Sequence, residues 1–288
     1  MHTIFLFVIQ CGSLMARVVA IVNQKGGVGK TTTAINLSAA LAYRGHSVLL
    51  IDTDPQGNAS SGLGLARNQQ ATIYDVFQGV FSLSSVIVGT ELPSLWVAPA
   101  NNDLIGAEVE LAQAEGREFI LREEIRKIVD RFDYIFLDCP PSLGLLTVNA
   151  LAAADALLVP LQCEYYALEG VSALMRTFEL AKDGINPRLE LAGVLLTMYD
   201  SRTNLARQVR DEAQEFFGTL LLRTIIPRNI RLGESPSFGK PIFLYDSGSI
   251  GAKAYLALAR EWEERQGDRT HRRENHIAWK ADDKTILV

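Results

Sequence analysis

The sequence predicts an α/β fold: a single doubly wound, mostly parallel sheet flanked by helices. Three observations lead there. Apolar runs rich in β-branched residues recur along the 288 residues, and their near-continuous hydrophobicity suits strands covered on both faces. Helical segments separate these runs, the alternation that builds a parallel sheet. A glycine-rich turn joins the first run to the first helix, and folds of this kind hold their ligands at the carboxyl ends of the strands.

The elements follow in order. Strands are expected at 17–23, 47–51, 95–99, 134–138, 156–160, 191–197 and 224–227, and helices at 30–44, 103–131, 169–182, 205–217 and 249–264. No Pro- or Ser-rich linker and no repeat divides them, so residues 15–264 are expected to form one domain. Residues 1–14 are apolar without Lys or Arg, and lack both the charged start of a secretory signal and the length of a membrane span. An upstream extension or a mis-assigned start before Met15 accounts for them, with a membrane anchor as the alternative. From Arg265 to Val288 the composition turns polar without an apolar stripe, which reads as a disordered tail.

Composition sets the bounds. A hydrophobic share of 48% supports a large core, and 21% charged residues is ordinary for a globular chain. The net charge of −5 excludes a surface coated in cations but leaves room for a local basic patch. Three cysteines (Cys11, Cys139, Cys163) without C-x-x-C spacing give neither a disulfide framework nor a zinc pattern, and point to a reducing cytosol.

Residues 23–32 read Asn-Gln-Lys-Gly-Gly-Val-Gly-Lys-Thr-Thr. Three glycines let a loop turn its N–H groups inward, and the helix start behind them adds partial positive charge. Lys30 can reach β- and γ-phosphates, and the Thr31 hydroxyl can ligate Mg²⁺. The usual first glycine of such a loop is replaced by Gln24, and a second lysine, Lys25, precedes Gly26 and Gly27. Further on, Asp52-Thr53-Asp54-Pro55-Gln56-Gly57 places two carboxylates at the end of a buried strand, suited to polarising a water; as residue types alone they equally make a turn. The run Tyr134-Ile135-Phe136-Leu137-Asp138 ends in a carboxylate suited to a magnesium site.

The Lys-Gly-Gly-Val-Gly-Lys-Thr-Thr string resembles the deviant Walker A loop of the ParA/MinD group of P-loop ATPases. The string at 140–144 resembles the family's switch II, those at 162–170 and 226–232 are similar to the ParA/Soj chromosome-partitioning branch, and the likeness spans roughly 15–264. It implies ATP and Mg²⁺ as cofactors. ATP would be cradled by Lys25, Gly26, Gly27, Val28, Gly29, Lys30, Thr31 and Thr32, with Pro227 and Asn229 beside adenine, though those two also suit an asparagine turn. Lys30 would act on its own subunit's nucleotide and Lys25 on the neighbour's. Asp54 would position the attacking water, while Thr31, Asp52 and Asp138 would serve the metal, Asp52 also supporting its loop.

Between Arg202 and Lys240 seven basic residues face four acidic ones, a local excess of +3. Most surface arginines are merely solvated; the resemblance singles out Arg202 and Arg231 as contacts to non-specific double-stranded DNA. It further implies an ATP-dependent homodimer, a ParB-type centromere-binding partner, a cytoplasmic, nucleoid-associated location and no stable membrane association. The competing readings are a MinD-like membrane-associated positioning ATPase, whose amphipathic terminus the tail does not supply, and an amidoligase-like enzyme or metal-cluster carrier.

Overall fold

The computed structural model describes residues 15–66, 69–164 and 167–266. The expected extension 1–14 and the tail after Gln266 lie outside the described residues, as do Tyr165 and Tyr166 of the 162–170 string. Among the described residues seven strands form one sheet: β1 (Arg17–Ile21), β2 (Val48–Asp52), β3 (Val88–Gly89), β4 (Leu95–Ala98), β5 (Tyr134–Asp138), β6 (Ala156–Gln162) and β7 (Glu190–Thr197). Their order is β3-β4-β2-β5-β1-β6-β7. All neighbours are parallel except the short edge strand β3, which runs antiparallel to β4.

Alternate residues of each central strand enter opposite cores. Val18 and Ala20 of β1, Leu49 and Ile51 of β2, and Ile135 and Leu137 of β5 face one side. Val19, Ile21, Val48, Leu50, Tyr134 and Phe136 face the other. Both faces are therefore dry, which is why these strands read as unbroken apolar runs.

Among the described residues twelve α-helices accompany the sheet: α1 (Lys30–Tyr43), α2 (Asn58–Gly62), α3 (Ile73–Phe77), α4 (Leu83–Val86), α5 (Leu104–Glu110), α6 (Ile120–Arg126), α7 (Leu145–Ala153), α8 (Ala167–Gly184), α9 (Asn204–Phe217), α10 (Ile230–Glu234), α11 (Ile242–Tyr245) and α12 (Ile250–Gln266). Helix α1 is rich in Ala and Leu all round and is buried along most of its length, as such a helix must be. It is pinned by Thr33 to Tyr255 of α12, hydroxyl to hydroxyl at 3.2 Å, and by Asn36 Oδ1 accepting from the Ile242 N–H at 2.8 Å.

Two expectations are corrected. The segment 103–131 is not one helix: exposed residues 112–116 leave nothing to pack, Gly116 turns left-handed at φ 70°, and α5 and α6 form on either side. Residues 224–227 are not a strand. The Glu261 carboxylate captures the N–H groups of Arg223 and Thr224, both at 2.8 Å, and draws that stretch away from a regular ladder with β7. Contact with β7 is reduced to bridges of Val194 with Leu221 and Tyr199 with Pro227, and to the Leu222 and Ile226 N–H groups donating to the Val194 and Leu196 carbonyls, both at 2.9 Å.

Candidate nucleotide site

The carboxyl ends of β1, β2 and β5 lie side by side, with Ile21 and Asp52 both in register with Asp138. The loop after β1 crosses this edge before α1 begins. Gly27 and Gly29 take φ values of 75° and 91°, a conformation a side chain would resist. Asn23 anchors the loop's entry: its Nδ2 donates to the Pro160 carbonyl at 2.8 Å and its Oδ1 accepts the Lys25 N–H at 3.0 Å. At its exit the Thr197 hydroxyl, at the end of β7, donates to the Val28 carbonyl at 2.8 Å.

The two lysines are placed very differently. Lys30 is 7% exposed and its ammonium donates to the Lys25 carbonyl at 3.2 Å. Burial lowers its pKa, opposed by the charges of Asp138 and Asp54. Lys25 stands at the outer rim with Gly26 and Gly27, its ammonium 2.9 Å from Glu164.

The carboxylates divide in the same manner. Asp52 is fully buried and its oxygens are occupied: Oδ2 accepts from the Ser60 N–H and hydroxyl at 2.8 and 2.7 Å, and Oδ1 from the Asp54 N–H at 3.2 Å. Burial still pushes its carboxyl up to about 6. That geometry makes Asp52 the anchor of the loop bearing Asp54, itself nearly buried and accepting the Gln56 N–H at 3.0 Å. Asp138 is also fully buried, yet neither of its oxygens has a hydrogen bond of ordinary geometry. Burial pushes this carboxyl well above the usual range, and the charge of Asp52 adds to the effect, while the nearby Thr31 hydroxyl pulls against it.

A buried carboxylate without a partner is costly unless a cation or donor meets it. Asp138 beside Thr31 and Lys30 therefore fits a magnesium ion. No group of three or more His, Cys, Asp and Glu side chains suited to a metal occurs among the described residues. Mg²⁺ is commonly held by one or two protein groups plus phosphate oxygens and water.

Comparison with known proteins decides the family. Residues 16–191 match the AAA domain model. The chain is 54% identical to the chromosome partitioning protein ParA of Myxococcus xanthus over 260 residues, covering 90% of this chain and 92% of that one. The chain belongs to the ParA/Soj family. A chromosome-partitioning ATPase Soj from Treponema pallidum is 49% identical, across 88% of this chain and the whole of its own. A crystal structure described as cobyrinic acid a,c-diamide synthase from Mycobacterium smegmatis, with bound ADP and magnesium, superposes with a TM-score of 0.75 at 40% identity, over 85% and 93% of the two chains.

The remaining residues singled out from the family resemblance lie at one place. The bridge between Tyr199 and Pro227, with the Arg228 N–H donating to the Tyr199 carbonyl at 3.0 Å, brings the Arg202 and Arg231 segments together. Asn229 caps α10 through its Oδ1, 2.8 Å from the Arg231 N–H. Neither arginine is bare. Arg202 forks onto Asp200 at 2.9 and 2.7 Å, and its hydrogen bonds hold the Asp200 carboxyl down at about 2. Arg231 reaches Glu234 at 2.8 Å and Asp246 at 3.4 Å.

Sequence reasoning included Asn23 in the loop and Glu164 in the 162–170 string without giving either a role, and did not connect Thr197 or Met198 with the site. Met198 has φ 51°, strained for a residue with a side chain. A glycine there would have signalled the turn; a methionine gives no sign. No helix among the described residues is long and apolar enough to cross a membrane.

Proposed function

We propose that this chain is a DNA-partitioning ATPase whose nucleotide state governs pairing with a second copy of itself. The observation that carries the reading is the split between the two lysines, Lys30 buried behind the loop and Lys25 exposed at its rim. A buried lysine serves its own subunit's phosphates; one that faces outward can reach a neighbour's.

ATP is the nucleotide of this reading, lying along Gly26 to Thr32 with adenine toward Pro227 and Asn229. Inward N–H groups and the start of α1 receive the phosphates. Lys30 neutralises β- and γ-oxygens, and Asp54 orients the attacking water. Thr31 and Asp138 would hold the metal, and Asp52 keeps the Asp54 loop in place. When bound, Mg²⁺ would supply positive charge that offsets the charge on the phosphates.

Two subunits closing face to face would double the surface bearing Arg202 and Arg231, raising affinity for non-specific double-stranded DNA by effective concentration. Hydrolysis removes the phosphate that Lys25 grips, and the pair separates and leaves the DNA. A ParB-type centromere-binding protein is the expected accelerator, and the nucleoid in the cytoplasm the expected location.

A gel-shift series on random-sequence DNA with ATP, ADP and no nucleotide tests the reading. Retention with ATP alone, weakening steeply with salt, is the expected result. Equal binding in all three states would refute the switch. Absence of DNA binding, with ATP-driven amide formation on a small acid, would favour the amidoligase reading instead.

A further inference from the structure

We propose that Glu164 is a positioning residue for Lys25, holding its ammonium on the home subunit until a neighbour's phosphates displace it. The inference rests on the role across the dimer given to Lys25 above.

Glu164 lies two residues beyond β6. Its carboxylate is held at both oxygens: Oε2 accepts from Lys25 Nζ at 2.9 Å, and Oε1 accepts from the Gln162 amide. Its own N–H donates to the Gln162 carbonyl at 2.9 Å. Gln162 is the last residue of β6 and pairs in register with Thr197 of β7. The carboxylate is thus tied to the sheet rather than carried on a loose side chain.

Lys25 is fixed differently. Its N–H donates to Asn23 and its carbonyl accepts from Lys30, so its backbone is pinned on both sides. Only the side chain can swing outward, and Glu164 is what restrains it. The two residues are 139 positions apart in sequence, so the pair exists only because the fold brings β1 and β6 together.

The strength of the pair suits a releasable hold. The side chains are 41% and 45% exposed, and ion pairs in that setting are weak and screened by salt. A triphosphate presents several charged oxygens to one ammonium, and charge-assisted bonds to phosphate are among the stronger ones. A carboxylate that competes for Lys25 therefore sets a threshold that a neighbour's nucleotide must exceed before the subunits close. After the exchange, Gln162 still holds the Glu164 carboxylate.

The test is dimerisation of the full chain with Mg²⁺ and a non-hydrolysable ATP analogue, followed by sedimentation equilibrium. Glu164→Gln is expected to tighten the dimer about 3- to 30-fold, because the pair is broken twice per dimer. Glu164→Asp, which keeps the charge but shortens its reach, is expected in between. In a Lys25→Ala background, Glu164→Gln should change nothing, a coupling that a purely structural role would not produce. Unchanged or weaker dimerisation of Glu164→Gln overturns the proposal. Normal dimerisation of Lys25→Ala alone would instead overturn the role of Lys25 across the dimer, so the two failures are distinguishable.

Discussion

The carboxylates at the amino end of the sheet close onto backbone N–H groups, as Asp52 does at the carboxyl end, and Asp138 departs from that pattern. At the amino end, Asp133 accepts the Ser47 N–H at 2.8 Å and Asp155 accepts the Val18 N–H at 2.8 Å; away from that end, Glu261 of α12 likewise takes two N–H groups from the segment beside β7. These charges close gaps in the backbone hydrogen bonding and hold the fold together. At the carboxyl end Asp138 is as deeply buried, yet it has no hydrogen bond of ordinary geometry. Such a group is costly unless a cation or donor meets it, so Asp138 points to the carboxyl end of the sheet as the place for a ligand.

The largest effect should come from Asp138→Asn. Magnesium-dependent ATP hydrolysis is expected to fall by about 100-fold or more, while the melting temperature of the nucleotide-free protein holds or rises, since a buried charge is gone. A clear loss of stability would break the contrast by making Asp138 a structural carboxylate.

Glu261→Ala is the reciprocal experiment. Two backbone N–H groups lose their acceptor, at a cost of about 2–4 kcal/mol, read from urea unfolding, with hydrolysis retained by the folded fraction. The same group gives a pH signature. Burial pushes the Glu261 carboxyl up, but the Arg223 and Thr224 N–H groups and the charge of Arg265 outweigh it and hold it below the usual carboxylate range. A depressed value contributes stability above the unfolded pKa, which is lost as pH falls through the folded one. Below about pH 4.5 the unsubstituted protein should therefore lose stability more steeply than Glu261→Gln.

A smaller effect sharpens the picture at the rim. Arg202→Ala and Arg231→Ala should each weaken DNA binding regardless of base sequence and flatten its salt dependence by about one unit of slope per contact removed. An unchanged slope would leave both arginines as partners of Asp200 and of Glu234 and Asp246 only. The smallest concerns thiols: burial pushes Cys163 up to about 11 and Cys139 higher still. Alkylation at pH 8, followed by mass spectrometry at these two positions, should be slow until the protein unfolds.

Much of the fold is legible because dry strands leave long apolar runs. Strand β5 is read at its exact bounds and five others within two residues at each end. What escapes is what local pattern cannot show. Strand β3 is two residues long, α7 is apolar along most of its length, and the stretch before Pro227 is apolar but turns its Thr224 N–H to a glutamate 37 residues later. The phosphate loop is legible because its glycines and lysines are contiguous in the chain. Glu164 and Thr197 join it from 139 and 169 residues away, and no neighbour of either announces the contact.

The left-handed turn at Met198 separates two attachments by a single residue. Before it, Thr197 holds the loop that would grip phosphate; after it, Tyr199 holds the strip that carries the arginines. A fluorophore or tag inserted between 197 and 203 would thus disturb both at once, so probes meant to report on one without the other belong on the far side of the sheet.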